Sequence, residues 1–156
     1  MFLEPKKIYR TVRGEVPDEE YSIPIGKANV VREGNDVVVF AYGAMLHVAM
    51  EAAELAAPNG IDVEVVDIRT LLPFDIETIT KTVEKTGRVV ILHEACKTCG
   101  FGAEIAAQIA ERSILHLKAP IVRVAGYDVP FPFILEDDYM PNAKRVFKAI
   151  EKVYNF

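Results

Sequence analysis

Serine is nearly absent: Ser22 and Ser113 are the only two in the chain. One falls in a proline-broken lead and the other inside a helical stretch. Neither stands on the strand-to-helix elbow that presents a serine nucleophile. Cysteine is equally scarce. Cys96 and Cys99 do not make a disulfide framework, and the compartment expected from that usage is the reducing cytoplasm. An excess of positive charge is missing as well. A formal net charge of -5 is the wrong sign for a nucleic-acid binder, and no basic amphipathic helix is present to meet an anionic membrane. No apolar run approaches the ~20 residues of a membrane span. The start, Met1-Phe2-Leu3-Glu4-Pro5-Lys6-Lys7, has no apolar segment after its charges of the kind a signal peptide carries. There is no Walker loop, and His93-Glu94 lacks the second histidine of a metalloprotease helix.

What remains is an ordinary globular balance, 51% hydrophobic and 26% charged. A length of 156 residues suits one domain, long enough to bury about two-thirds of its unfolded surface. Residues 1–27 read as an extended lead, because Pro5, Pro17 and Pro24 forbid a continuous helix. Its apolar residues Ile8, Tyr9, Val12, Tyr21 and Ile23 are expected to pack on the chain's own domain. From residue 28 strands and helices alternate. Residues 36–42 read as a strand whose Val37, Val38, Val39 and Phe40 run on without a polar residue, as in a strand buried on both faces. Gly43 ends it, and a helix follows with Met45, Val48, Ala49, Ala52, Leu55 and Ala56 on one stripe. Residues 61–68 make the next strand. After Pro73, Asp75 is placed to cap a helix whose stripe is Ile76, Ile79 and Val83, with Gly87 as its stop. A third strand covers 88–93, a helix 102–117 and a short strand 121–125. That third helix carries Ala106, Ile109, Ala110, Ser113 and Leu117 inward; Ile105, Ile114 and Leu115 make its apolar face wider than one sheet surface needs. The last helix starts at the capping residue Asn142. Strands joined through helices of this length imply βαβ units with right-handed crossovers.

Several clusters have the residue types of a chemical site. Cys96-Lys97-Thr98-Cys99 lies between a strand and a helix, as redox dithiols do, although the order of elements does not match a thioredoxin-like fold. With His93 the two cysteines offer soft metal ligands, but a structural zinc takes four, and His47 or His116 would have to complete it from another element. Gly100-Phe101-Gly102-Ala103-Glu104-Ile105 begins like a dinucleotide fingerprint with Ile105 in place of the third glycine. These glycines read better as allowing close helix–strand packing, and His93 as a hydrogen-bonded strand-end histidine. Asp67 and Arg69 share one side of a strand end and are expected to pair. Tyr127, Phe131, Phe133, Ile134, Leu135, Tyr139 and Met140 crowd an irregular stretch broken by Pro130, Pro132 and Pro141. That is the composition of a protein–protein interface.

Taken in order, these pieces resemble a family. Ile23-Pro24-Ile25-Gly26-Lys27-Ala28 leads to Val30-Val31-Arg32-Glu33-Gly34-Asn35-Asp36, Ala41-Tyr42-Gly43 and Val65-Val66-Asp67-Ile68-Arg69-Thr70-Leu71-Leu72-Pro73. Lys85-Thr86-Gly87-Arg88, His93-Glu94-Ala95, the Gly100 to Ile105 turn, Ala119-Pro120, Arg123-Val124, Gly126-Tyr127-Asp128 and Pro130-Phe131-Pro132 follow. The string resembles the C-terminal half of the beta subunit of 2-oxo acid dehydrogenases, the thiamine-dependent decarboxylating component of the pyruvate and branched-chain enzymes, over essentially the whole chain.

The resemblance implies an α/β fold of three α/β/α layers with a mostly parallel five-stranded sheet, of the transketolase C-terminal type. Residues 1–27 would be the lead from an absent N-terminal thiamine-binding half, and 28–156 the C-terminal domain. It implies no catalytic, cofactor-binding or metal residue in this chain; thiamine diphosphate and magnesium would belong to the complete enzyme, between the alpha chain and the other half of the beta chain. The implied partners are another beta chain, the alpha subunit and the subunit-binding domain of the acyltransferase. The interface candidates are Ile105, Ile114, Tyr127, Phe131, Phe133, Tyr139 and Phe156. Two rival readings stay open on the residues alone: a stand-alone dithiol redox protein using Cys96 and Cys99, and a Rossmann-like small-molecule-binding module.

Overall fold

A strand without a polar residue needs cover on both faces. In the computed structural model, which describes residues 1–156, β2 (Val37–Ala41) is that strand, and all five of its residues are buried. The sheet around it comprises β1 (Asn29–Arg32), β3 (Val63–Asp67), β4 (Val89–Cys96) and β5 (Val122–Gly126). Their order is β1-β3-β2-β4-β5. Strands β3, β2, β4 and β5 run parallel, and β1 lies antiparallel on the β3 edge.

Alternate side chains of the sheet feed two cores. Val37, Val39 and Ala41 face α1 (Met45–Ala56) and α5 (Ala143–Tyr154). Val38 and Phe40 face α2 (Ile76–Thr86) and α3 (Gly102–Ser113). The result is three layers, α/β/α, with a mostly parallel five-stranded sheet in the middle. A short turn of helix, α4 (Glu136–Tyr139), precedes α5.

The helix starts are chemically specified. Asn142 accepts from the Arg145 N–H at 3.0 Å. Asp75 accepts from the Thr78 N–H at 3.2 Å and the Thr78 hydroxyl at 2.8 Å. It also accepts from the Ala28 N–H at 3.2 Å, which ties the approach to β1 onto the start of α2. Gly87, at φ 72°, closes α2 in the left-handed conformation that glycine adopts without penalty. Glu64 of β3 is fully buried and pairs with Lys85 of α2, which also reaches Glu33 at 3.0 Å.

The structure departs from the sequence reading in four places. β1 has no apolar run to announce it: its four residues are all half-buried, and a bulge interrupts its pairing between Val30 and Arg32. α3 ends at Ser113 and gives way to a 3-10 turn, Ile114–His116, instead of continuing to residue 117. In α1 it is Ala53 that faces the core, while Leu55 is exposed. Of the lead's apolar residues Ile8 is half-buried on the domain, with Pro5 beside it, while Tyr9, Val12, Tyr21 and Ile23 stay exposed. Between the lead and the start of α1 lies an open groove of about 560 Å³ lined by Ile8, Val12, Met45, Val48 and Met140.

Replacing Asp75 with alanine removes both its cap and its hold on residue 28. Loss of a helix cap costs about 0.5–2 kcal/mol, and D75A should fall at the upper end by urea denaturation. Burial alone would push this carboxyl up, but hydrogen bonds from Thr78 and Ala28, with Lys27 nearby, outweigh it and hold the value below the ordinary 3.8. The unfolded chain therefore takes up the proton first as pH falls. The contribution is complete above about pH 4 and lost below it, so the wild type should lose more stability than D75A across that range. Parallel stability–pH curves would contradict the assignment.

Candidate functional site

Adjacent strands β2 and β4 send their following segments to opposite faces of the sheet, β2 to α1 and β4 to α3. Such a divergence opens a crevice at the carboxyl ends of the strands, where ligands of open α/β sheets bind. Here the crevice is filled from within. His93 of β4 is fully buried, and its ring stacks on Tyr42 with centroids 6.2 Å apart and planes 14° from parallel. Phe101 meets Tyr42 edge-on at 6.5 Å, and Phe74 meets Phe101 at 5.7 Å. Gly100 and Gly102 back the imidazole. A Cβ at either would come 2.6 Å from a ring atom. The glycine turn therefore makes room for His93 and brings α3 close to β4. Ile105, where a dinucleotide fingerprint has its third glycine, is a core residue.

Neither nitrogen of His93 has a hydrogen-bond partner, contrary to the hydrogen-bonded histidine expected from its strand-end position. Burial removes water, and the glycines that admit the ring bring no side chain to replace it. Desolvation holds the imidazole below its ordinary value, and Arg123 adds to the effect. The Ala95 backbone opposes it, too poorly placed for a regular hydrogen bond. The Tyr42 phenol is pushed up to about 12, first by burial and then by Glu94. Asp67 and Arg69 pair as expected: Nε lies 3.5 Å from Oδ2, and the Arg69 N–H donates to Oδ1 at 3.1 Å. Burial raises the Asp67 carboxyl in spite of Arg69. Ser113 is buried in α3. No group of three or more His, Cys, Asp or Glu side chains is placed to hold a metal ion, so His93, Cys96, Cys99, His47 and His116 do not assemble the zinc site considered above. The same lack of a ligand cluster leaves no fit for magnesium.

The aromatic stretch after β5 is organised around Tyr139, which is itself buried. Phe131 packs on its ring at 5.1 Å and Tyr127 at 6.3 Å. Arg145 covers the Tyr127 ring at 4.6 Å and donates to the carbonyls of Tyr139 and Ala125 at 3.1 and 2.8 Å. Thr98 donates twice to the Asp128 carboxylate, at 2.9 and 2.7 Å. On this braced base the chain turns apolar side chains outward: Phe133 is 90% exposed and Ile134 97%. Phe156 and Ile114 are also exposed, at 78% and 61%.

Two of the seven interface candidates are corrected. Ile105 is 0% exposed and packs into the core between α3 and the sheet; Tyr139 is buried beneath the loop as its support. Tyr127, Phe131, Phe133, Ile114 and Phe156 are at the surface. The bracing roles of Arg145 and Asp128 have no local signal: a half-buried helix arginine does not announce in sequence the loop it will cover.

The chain is a three-layer α/β/α domain whose crevice is filled by its own histidine and whose loop after β5 raises apolar side chains on a braced base. Residues 26–146 match the model described as "Transketolase, C-terminal domain", and the chain belongs to that family. It is homologous to the beta subunits of pyruvate and branched-chain 2-oxo acid dehydrogenases. It is 50% identical over 153 residues to the mitochondrial 2-oxoisovalerate dehydrogenase subunit beta of Dictyostelium discoideum, covering 97% of this chain and 41% of that one. It is 48% identical over 157 aligned residues to the pyruvate dehydrogenase E1 component subunit beta of Bacillus subtilis, covering 100% and 48%. The chain thus spans about half the length of the curated relatives it matches. Among solved structures, a split gene transketolase described as an inactive beta4 tetramer superposes with a TM-score of 0.78 at 32% identity, over 91% of this chain and 46% of that one. A 2-oxoglutarate:ferredoxin oxidoreductase from Magnetococcus marinus shares the fold at a TM-score of 0.56 and 10% identity.

The packing around His93 is directly testable. Gly102→Ala should destabilise the chain by about 1–3 kcal/mol through overpacking, read as a lower urea midpoint; an unchanged midpoint would refute the close approach. His93 binds its proton less readily folded than unfolded, so its contribution is complete above the unfolded value of about 6.5 and declines as pH falls below it. H93F should lose that part of the acid slope, measured as stability between pH 5 and 7 (roughly the histidine titration range).

Proposed function

We propose that this chain is the assembly and subunit-interface domain of a 2-oxo acid dehydrogenase beta subunit. The complete enzyme would oxidatively decarboxylate pyruvate or a branched-chain 2-oxo acid with thiamine diphosphate and magnesium, and pass the acyl group to lipoamide. Residues 1–27 would join the domain to the thiamine-binding half of the subunit. The observation that carries the reading is the loop of residues 127–135. Its apolar tips face solvent, yet its base is fixed by Tyr139, Arg145 and Asp128. A surface that is both apolar and preorganised loses little freedom on association.

The preferred occupant is a second beta chain. Similarity to a chain that forms a beta4 tetramer supports beta–beta contacts. The alpha subunit and the acyltransferase subunit-binding domain are the further partners, and the exposed chain end at Phe156 offers them an apolar contact. No helix of the chain is long and apolar enough to cross a membrane. Two free cysteines suit a reducing compartment such as the cytoplasm.

Light scattering across a concentration series tests the beta–beta contact. The chain should exceed its 17.4 kDa monomer mass as concentration rises. Phe133→Asp or Ile134→Asp should weaken that association by roughly tenfold or more, with an unchanged urea midpoint, since neither side chain belongs to the core. A chain that stays monomeric at every concentration would overturn the beta–beta reading.

A further inference from the structure

Thr98 braces the loop through Asp128, but the assembly role leaves the thiols of Cys96 and Cys99 without a part. Cys96 is the last residue of β4 and half-buried; Cys99 is exposed and sits at φ 58°. The segment between them is a turn that folds back closely, so that a Cβ on Gly100 would collide with the Cys96 carbonyl. The chain bends at Lys97 and turns at Thr98 and Cys99, and a disulfide across this bend needs Cα atoms roughly 4.4–6.8 Å apart.

The surroundings of this turn connect it to the aromatic loop. The Cys96 Sγ lies 3.4 Å from the Tyr139 hydroxyl. The Lys97 N–H donates to the Gly126 carbonyl at 3.2 Å, and the Arg123 guanidinium donates to the Lys97 carbonyl at 2.9 Å. Thr98 holds Asp128 through the two bonds already described. Tyr139 is the ring on which Phe131 and Tyr127 pack, so the contact with Cys96 fixes the support of the exposed surface.

We propose that Cys96 and Cys99 are a reversible thiol–disulfide site that reacts with low-molecular-weight disulfides of the oxidised-glutathione class, and that closing the bond frees Tyr139 and loosens the aromatic loop. The solvent-facing Cys99 thiolate attacks one sulfur of the small disulfide. That S–S bond breaks, one small thiol leaves, and a mixed disulfide forms on Cys99. The Cys96 thiolate then attacks the Cys99 sulfur, the mixed bond breaks, and the second small thiol leaves. The chain gives up two electrons and two protons, and the small disulfide becomes two thiols. Cys96 loses its S–H and is drawn toward Cys99, away from the phenol. The covalent step stands apart from the assembly role; its effect on association rests on that reading.

The test equilibrates the full chain in glutathione buffers of graded oxidation. Oxidation should remove both titratable thiols from the monomeric chain and lower its intact mass by two hydrogens, reversibly on adding reductant. C96S should instead keep a glutathione adduct on Cys99. Amide exchange over residues 127–139 should quicken by roughly two- to tenfold in the oxidised wild type, the net worth of one hydrogen bond, and stay unchanged in C99S. A wild-type chain that stops at the glutathione adduct, or that links to a second chain, overturns the site. An intrachain disulfide with unaltered exchange overturns its coupling to Tyr139. Faster exchange with unaltered self-association upholds the site and counts against the interface reading.

Discussion

β2 is covered on both faces along its whole length, and the rest of the architecture follows from supplying that cover. Its odd and even positions point into separate cores, so the chain must deliver apolar helices to each side of one sheet. Three of the four helices that do so lie in crossovers between parallel strands, and α5 packs back after the last strand. The divergence of α1 and α3 from neighbouring strands is a by-product of the same demand. In relatives of this architecture that divergence makes a ligand crevice; here His93, Tyr42 and two glycines occupy it. The most ligand-like place in the fold has become a packing joint.

Functional weight therefore shifts sideways along the same carboxyl edge of the sheet, to where the loop after β5 meets the turn after β4. Both segments are irregular, and irregular backbone needs side chains to define it. Tyr139 supplies apolar area beneath Tyr127 and Phe131, while Arg145 and Asp128 satisfy polar groups at the base. Firm support and exposed apolar tips together describe a surface prepared for protein contact. They also place one thiol, Cys96, directly against its central support.

How legible the molecule is from sequence depends on whether a residue's role is local. The β2 run, the Asp75 and Asn142 caps and the Gly87 stop follow from neighbours a few positions away, and all appear where expected. β1 does not, because its place is set by Asp75 and β3, some forty residues distant. Ile105 and Ile114 both widen the apolar stripe of the third helix, but nine residues at 100° each set them about 180° apart on the wheel. They flank opposite sides of it, so one goes to the core and the other, just past the helix end at Ser113, to solvent. The composition of residues 127–140 marks a surface correctly, but only the folded chain shows that Tyr139 carries it and that Cys96 touches Tyr139. The family string was readable because it is a sequence of turns and strand ends, whose residue types are tightly constrained.

The Asp75 carboxylate has a mechanical meaning beyond its energy. An edge strand held only by its ladder frays from its free end. Here one side chain grips the backbone at residue 28 and the first turn of α2 at once. Tension arriving along the lead is thereby passed to a helix seated in the core instead of peeling β1 from β3. The joint acts as a strain relief, of the kind that secures a cable where it enters a rigid housing.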